Sequence, residues 1–364
     1  MTEPNELTTQ ELLKRPRPWA FTRAELTASL RRHTGDPSLN IVKLSESDLT
    51  QRRPAIGRLR GLQVSCEGNT GKHEFNLILK EPQGSTRAGT AGAALREVSV
   101  YQVLGDHLPV RIPQLFASDP AGGWLVIERL LRGRQPENWQ AADYLLATDQ
   151  LVVLHDRFWG LGEDLITYNW LGRPLDQDFF IHLQAARTGA QNLQQRQPGN
   201  QLGQNKQITD LFSHLIAYAD QISRALQTGP MTLLHGDYWP GNINVHSDGS
   251  LTVYDWEKAA IGPPILDLLN FVKASFWWFE PLPISQEEIV DHYRTRIKLA
   301  NGYIWKQAEW EALWDYAKLW TFMTQWLDLL ATIPDSVLES RIEHLETAWL
   351  KPVMEAAERR LPRA

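Results

Sequence analysis

The chain has 364 residues, 43% hydrophobic and 22% charged, which fits a soluble globular protein of about two domains. A formal net charge of −6 argues against a nucleic-acid binder. The single cysteine, Cys66, excludes an internal disulfide or a cysteine-rich metal site, and no run reaches the ~18 apolar residues of a membrane span.

Residues 1–39 read as a leader and a short helix. The polar, acidic start lacks the features of a signal peptide, so a cytoplasmic location is expected. Thr22 is the expected N-cap of the helix, and Glu25 completes a capping box. Strand-like runs follow at 40–44, 57–67 and 73–81. The last two flank Gly68-Asn69-Thr70-Gly71-Lys72, a hairpin turn. That turn is not a P-loop, because two residues rather than four separate its glycines and His73 follows the lysine. After a Gly/Ser/Thr loop at 82–92, the spacing of Leu95, Val98 and Leu104 predicts a helix over 93–104. A short apolar strand covers 124–128, and the Gly/Pro/Arg-rich stretch 131–138 marks a boundary. A helix is predicted at 141–159, a polar Gln/Asn/Gly loop at 188–207 and a helix at 208–226. A strand at 231–234 precedes a hairpin around Ser247-Asp248-Gly249. From Asp267 onward the pattern is helical, including a long apolar stripe over 307–330. The fold class is therefore α+β: a leader (1–39), a small β-rich N-lobe with one helix (40–131) and a larger, mainly helical C-lobe (132–364).

The chemistry concentrates in His235-Gly236-Asp237-Tyr238-Trp239-Pro240-Gly241-Asn242, a loop between two apolar strands. Phosphoryl transfer needs a group that orients and deprotonates the attacking hydroxyl, and metal ions that neutralise the phosphates. Asp237 suits the first task. Asn242, five residues on, can return beside it and offer a hard amide oxygen to Mg²⁺. Asp255, at the end of the next hairpin strand, supplies a carboxylate ligand. An apolar strand ending in Asp255-Trp256-Glu257 is hard to explain by packing alone.

These segments resemble the aminoglycoside phosphotransferase and choline kinase family, relatives of protein kinases. His235-Gly236-Asp237-x-x-x-x-Asn242 and Asp255-Trp256-Glu257 match its two main motifs. The segment from Gly262 to Leu268 is similar to its G-D-P-x-x-D-L stretch, with Pro263 at the first Asp, and 151–159 resembles its L-x-x-L-H helix. The likeness runs from about 41 to about 271. It implies a bilobal protein-kinase-like fold and a small-molecule kinase that uses ATP (or GTP) and Mg²⁺ to phosphorylate a hydroxyl of an amino-alcohol, aminoglycoside or related metabolite. It further implies that Lys80, at the end of an apolar strand, touches the α/β-phosphates and pairs with Glu97; Glu81 would point away. Adenine would meet the backbone near Ile127 and Arg129, by analogy with the kinase hinge. His235 and Asp267 would support the catalytic loop. No G-x-G-x-x-G loop is present; 45–57 takes its place. A non-catalytic nucleotide-binding module is the alternative reading. The retention of Lys80, Asp237, Asn242 and Asp255 weighs against it. The absence of H-R-D, D-F-G and A-P-E weighs against a protein kinase.

For the acceptor, an aromatic and an acidic group of residues stand out. The spacing of Trp310, Trp314 and Trp320 is that of a helix core stripe. Trp277 and Trp278 point to different faces, so one of them is offered to a pocket. Of the acidic residues Glu257, Glu280, Asp315 and Asp328, Glu257 is the best candidate to meet a cationic acceptor because it adjoins Asp255. No nucleic-acid or membrane partner is expected, and the oligomeric state is open.

Overall fold

The computed structural model describes residues 18–47, 49, 58–81, 92–196, 202 and 205–362. Of the expectations above, the leader at 1–17, the phosphate-covering stretch at 48 and 50–57, and the loop at 82–91 lie outside the described residues.

Helix α1 (Arg23–Thr34) begins at the predicted capping box: the Glu25 amide donates to Thr22 Oγ1 and the Thr22 amide to Glu25 Oε2. Such a cap contributes about 1 kcal/mol. Leu26 and Leu30 of α1 are buried against Leu62, Val64, Leu77 and Leu79 of the sheet, so the helix expected to precede the N-lobe belongs to its core. The sheet is antiparallel in the order β1-β2-β3-β5-β4, from β1 (Asn40–Ser47), β2 (Arg58–Gly68), β3 (Gly71–Glu81), β4 (Leu115–Ser118) and β5 (Leu125–Glu128). Strand β4 has no sequence signature of its own; four residues flanked by Pro113 and Asp119 are too short to show alternation.

Alternation on β3 divides two environments. Leu77 and Leu79 face α1, while Ile78 and Lys80 face α2 (Ala93–Ser99). Helix α2 widens into a π turn over Val100–Leu104 rather than running as one α-helix to 104. Through Val98 and Val100 the inner face of the sheet joins one continuous core that extends into the C-lobe. The connection at 131–138 therefore divides the chain but not the packing.

In the C-lobe, α3 (Ala141–Arg157) and α4 (Phe179–Gln195) precede α5 (Lys206–Ala217) and α6 (Ala219–Leu226). The polar loop expected from 188 is a correction. Helix α4 runs on to Gln195, with Leu183, Ala186, Ala190 and Leu193 buried along one face. Gly189 lets it approach Leu327 so closely that a Cβ would stand 2.9 Å from that residue's backbone carbon. The glutamines occupy the outer face, so composition hid an amphipathic stripe. The predicted helix 208–226 is likewise two helices, broken at Tyr218.

Two short ladders frame the segment from His235 to Asn242. Strand β6 (Thr232–Leu234) pairs with β9 (Ala260–Gly262), and β7 (Ile243–Val245) pairs with β8 (Leu251–Val253). Helices α7 (Ile265–Phe279), α8 (Gln286–Asn301), α9 (Gln307–Thr321), α10 (Leu327–Thr332) and α11 (Lys351–Arg360) complete the lobe, with a π turn at Phe322–Trp326 joining α9 to α10. No helix among the described residues is long and apolar enough to cross a membrane.

Lys273 on α7 is buried. Its ammonium donates to the Ala348 carbonyl and lies 5.7 Å from the Trp349 ring centroid. Burial, helped by Lys318, pushes it from 10.5 down to about 8. The unfolded chain holds this proton more tightly, so the penalty is present at neutral pH and stability rises as pH climbs from 8 toward 10.5. Lys273→Met is expected to raise the melting temperature at pH 7 by about 2–4 °C. Thermal melts at pH 7 and pH 10 check this. The gain should shrink at the higher pH, and equal gains at both would show that the buried charge is not its source.

Candidate active site

The β6–β9 register sets Leu234 opposite Ala260, which brings the start of the loop from His235 to Asn242 alongside residues 255–258. Gly236 permits the approach. Its φ is +79°, and a Cβ there would lie 1.9 Å from the Lys258 carbonyl oxygen.

Asp267, in the first turn of α7, holds the loop. Its Oδ2 accepts the His235 amide at 2.7 Å and its Oδ1 the Gly236 amide at 2.9 Å. His155 of α3 approaches the same carboxylate at 3.4 Å through Nε2 and meets the Tyr293 hydroxyl at 2.7 Å through Nδ1. The L-x-x-L-H helix is thus tied to the loop through Asp267. His235 is fully buried. Its Nδ1 accepts the Asp237 amide at 3.2 Å, so its Nε2–H donates to the Tyr254 carbonyl at 3.1 Å. Burial lowers its pKa, in keeping with a neutral, structural imidazole.

Asp237 has both carboxylate oxygens engaged. Lys258 Nζ lies 3.0 Å from Oδ1, and Asn242 Nδ2 donates to Oδ2 at 3.1 Å and to the Asp237 carbonyl at 2.9 Å. With its amide nitrogen turned to Asp237, Asn242 keeps its oxygen for another partner.

Asp255 follows β8 with φ +71°, the one non-glycine residue at positive φ among those described. Backbone held in this region is strained and concentrates at functional sites. Its carboxylate contacts Lys80 Nζ, which also lies 2.6 Å from Glu97 Oε2 and 3.4 Å from Glu257 Oε2. The structure therefore makes the Lys80–Glu97 pair, while Glu81 turns instead toward Arg60. Burial opposes the Lys80 charge, but Glu97, Asp255 and Glu257 hold it well above its usual range. Burial likewise raises Glu97 and Glu257, whereas Lys80 overcomes burial at Asp255 and keeps that carboxyl low.

Glu97, Asp255 and Glu257 each offer an oxygen within 4.8 Å of the others. Together with Asp237 they are four carboxylates facing the two ammoniums of Lys80 and Lys258. An excess of negative charge on hard oxygen donors fits a divalent cation such as Mg²⁺.

Residues 67–313 match the profile of the phosphotransferase enzyme family. The chain belongs to that family. No curated protein matches it. Its fold is similar to that of the ethanolamine kinase of Plasmodium vivax, with TM-score 0.55 and 10% identity over 86% of this chain and 83% of the other. It also resembles an aminoglycoside phosphotransferase of Streptomyces rimosus solved with ADP and streptomycin, with TM-score 0.46 and 15% identity over 82% of this chain and 98% of the other. For a macrolide 2'-phosphotransferase of Brachybacterium faecium the values are 0.44 and 14% over 92% and 97%. The first likeness bears on the fold, which is the bilobal protein-kinase-like α+β arrangement expected for this phosphotransferase.

The other expected residues lie in or beside the N-lobe sheet and on the C-lobe helices. Ile127 is inside the sheet, paired with Ile78 and Leu115, and the Arg129 amide donates to the Asn76 carbonyl. Both backbones are thus engaged in or beside the sheet. Trp277 is buried against Trp326 and His344. Trp278 is 39% exposed, with Arg341 5.5 Å from its ring centroid. Asp315 is a buried clamp for Lys318, Arg359 and Arg360, and Glu280 pairs with His344.

The cavity that meets the loop at Gly236 is lined by Gly236, Lys258 and Asp267 on one side and by Asp178, Trp320 and Asp328 on the other, with a volume of about 170 Å³. The aromatic residue it presents is therefore Trp320, whose spacing had marked it as part of a core stripe, rather than Trp277 or Trp278. Trp320, Thr324 and Asp328 follow at four-residue spacing along α9, the π turn and α10, so one helical wall supplies all three. A larger cavity of about 380 Å³, lined by Gly162, Arg173, Met231 and Ile261 among others, contains none of the catalytic cluster. Lys258 and Asp178 had no signal in the sequence. Both lie outside the motifs proper and reach the site only through tertiary contacts.

Proposed function

We propose that this phosphotransferase moves the γ-phosphate of ATP (or GTP) onto a hydroxyl of a small amino-alcohol or related amine. The observation that carries this reading is the Asp237–Lys258 pair, 3.0 Å apart: Lys258 lines the cavity and shares one tight turn with Glu257 of the Lys80–Glu97–Asp255–Glu257 cluster. Lys80, fixed by Glu97, would meet the α/β-phosphates. Asn242, Asp255 and Glu257 would hold Mg²⁺, which when bound neutralises phosphate charge. Asp237 accepts the proton of the acceptor hydroxyl as the new bond to phosphorus forms.

Asp178 and Asp328 stand beside Trp320 in the cavity, which Arg96 and Lys258 also line, and the two carboxylates suit a protonated amine. A volume of about 170 Å³ accommodates a compact acceptor. A coupled ADP-release assay with Mg²⁺ and ATP, run against amino-alcohols, aminoglycosides, macrolides and simple sugars, tests the reading. Turnover is expected with a small amino-alcohol. Asp328→Asn is expected to raise the acceptor KM about tenfold with kcat changed much less, because it removes binding shared by ground and transition states. Wild-type protein that binds no nucleotide with Mg²⁺ would sink the proposal.

A further inference from the structure

We propose that Lys258 is a catalytic residue of this transfer, its ammonium binding the γ-phosphoryl group while that group passes to the acceptor oxygen. This rests on the reading of Asp237 as the base.

The position of Lys258 is set from both lobes. Residues Trp256–Lys258 form a single tight turn. Arg96 of α2 reaches across the cleft and donates to the Glu257 carbonyl at 2.9 Å and to the Trp170 carbonyl at 3.2 Å. From the other side Gly236 packs against the Lys258 carbonyl. The backbone is thus clamped, and the side chain, about one-third exposed, projects to the junction of Asp237 and the cavity.

The two ammoniums of the site are divided between two tasks. Lys80 is surrounded by Glu97, Asp255 and Glu257, whereas Lys258 is 3.0 Å from Asp237. A hydroxyl that gives its proton to Asp237 must lie within hydrogen-bond reach of that carboxylate, with phosphorus about 3–3.5 Å beyond. An ammonium already on the carboxylate is then within ionic range of the phosphoryl oxygens, which carry the charge of the transition state. As the acceptor oxygen bonds to phosphorus, its proton passes to Asp237. The bond from phosphorus to the bridging oxygen breaks, and the nucleoside diphosphate leaves with that electron pair. Lys258 pairs with Asp237 in the empty site, and with the γ-phosphoryl group once the triphosphate is bound and while that group is transferred.

The test is calorimetric and needs no acceptor. Wild type, Lys258→Gln and Lys258→Arg are titrated with ADP and with a non-hydrolysable ATP analogue, each with Mg²⁺, and the melting temperature of each is recorded. Gln can still donate to Asp237 but carries no charge. It is expected to bind ADP within about twofold of wild type and the triphosphate analogue about tenfold more weakly, while Arg keeps most of the affinity. With an acceptor in hand, Lys258→Gln should lower kcat about 100-fold and change the acceptor KM less than about threefold. Equal effects on the two nucleotides, or none on either, would overturn the assignment and leave the phosphotransfer reading standing. Should Gln fail to fold, Arg decides by the same ratio: a triphosphate affinity retained no better than that for ADP after a fall in both removes the proposal. Wild type that binds neither nucleotide removes both.

Discussion

Asp237→Asn is expected to lower acceptor-dependent turnover by about 10²–10⁴-fold while Mg²⁺–nucleotide binding and the melting temperature stay close to wild type. Asparagine keeps the volume of the side chain, and its amide oxygen can still accept from Lys258, which stands 3.0 Å from Oδ1. What is lost is the ability to take a proton, together with the side-chain acceptor of the Asn242 amide. The loop itself is held by other bonds, the Asn242 amide to the Asp237 carbonyl and the His235 and Gly236 amides to Asp267, so it should not collapse. Initial rates of ADP release, with calorimetric nucleotide titrations on the same protein, check both halves. A variant within about threefold of wild-type kcat would remove Asp237 from the role of base.

The largest loss of stability at the site is expected from Asp267→Ala. Asp267 is 1% exposed and accepts from the His235 amide, the Gly236 amide and His155. Truncation leaves these donors buried without an acceptor, at a cost of about 1–3 kcal/mol for each one that stays unsatisfied. Some relief by water reduces the sum, and a net destabilisation of about 3–5 kcal/mol is expected. Turnover should fall with it, because the loop that carries Asp237 loses its anchor to α7. Asp267→Asn keeps one acceptor and should cost about half as much. Thermal melts of the two variants decide the matter. An Asp267→Ala protein that melts within about 2 °C of wild type would show that the loop is held by something else.

The sequence pattern conveyed more of the site than of the helices around it. The H-G-D and D-W-E segments were legible because their chemistry is local. A carboxylate and an amide five residues apart in one tight loop meet whatever surrounds them, and Asn242 does donate to Asp237. The capping box at Thr22, the hairpin at 68–71 and the Asp-Gly turn at 248–249 were legible for the same reason, since each is closed by bonds spanning a few residues.

The far end of α4 was missed because glutamine-rich composition disguised a stripe whose meaning depends on α10 packed against it. Trp277 and Trp278 were expected to face different sides, with one offered to a pocket, yet Trp277 is buried against the rings of Trp326 and His344, far along the chain. Periodicity reports which face of a helix is apolar but not what lies opposite it.

The sequence by itself determined the α+β plan and the tight loop from His235 to Asn242, both of which follow from local spacing; the pairing of Lys80 with Glu97 was implied by the family resemblance, and the fold makes it. Only the tertiary structure decided which surface meets Asp237. The β6–β9 register, Gly236 against Lys258, and the helical wall carrying Trp320 and Asp328 bring together residues far apart in the chain. Contacts at such separations are fixed by how whole elements pack, and no short segment of the chain encodes them.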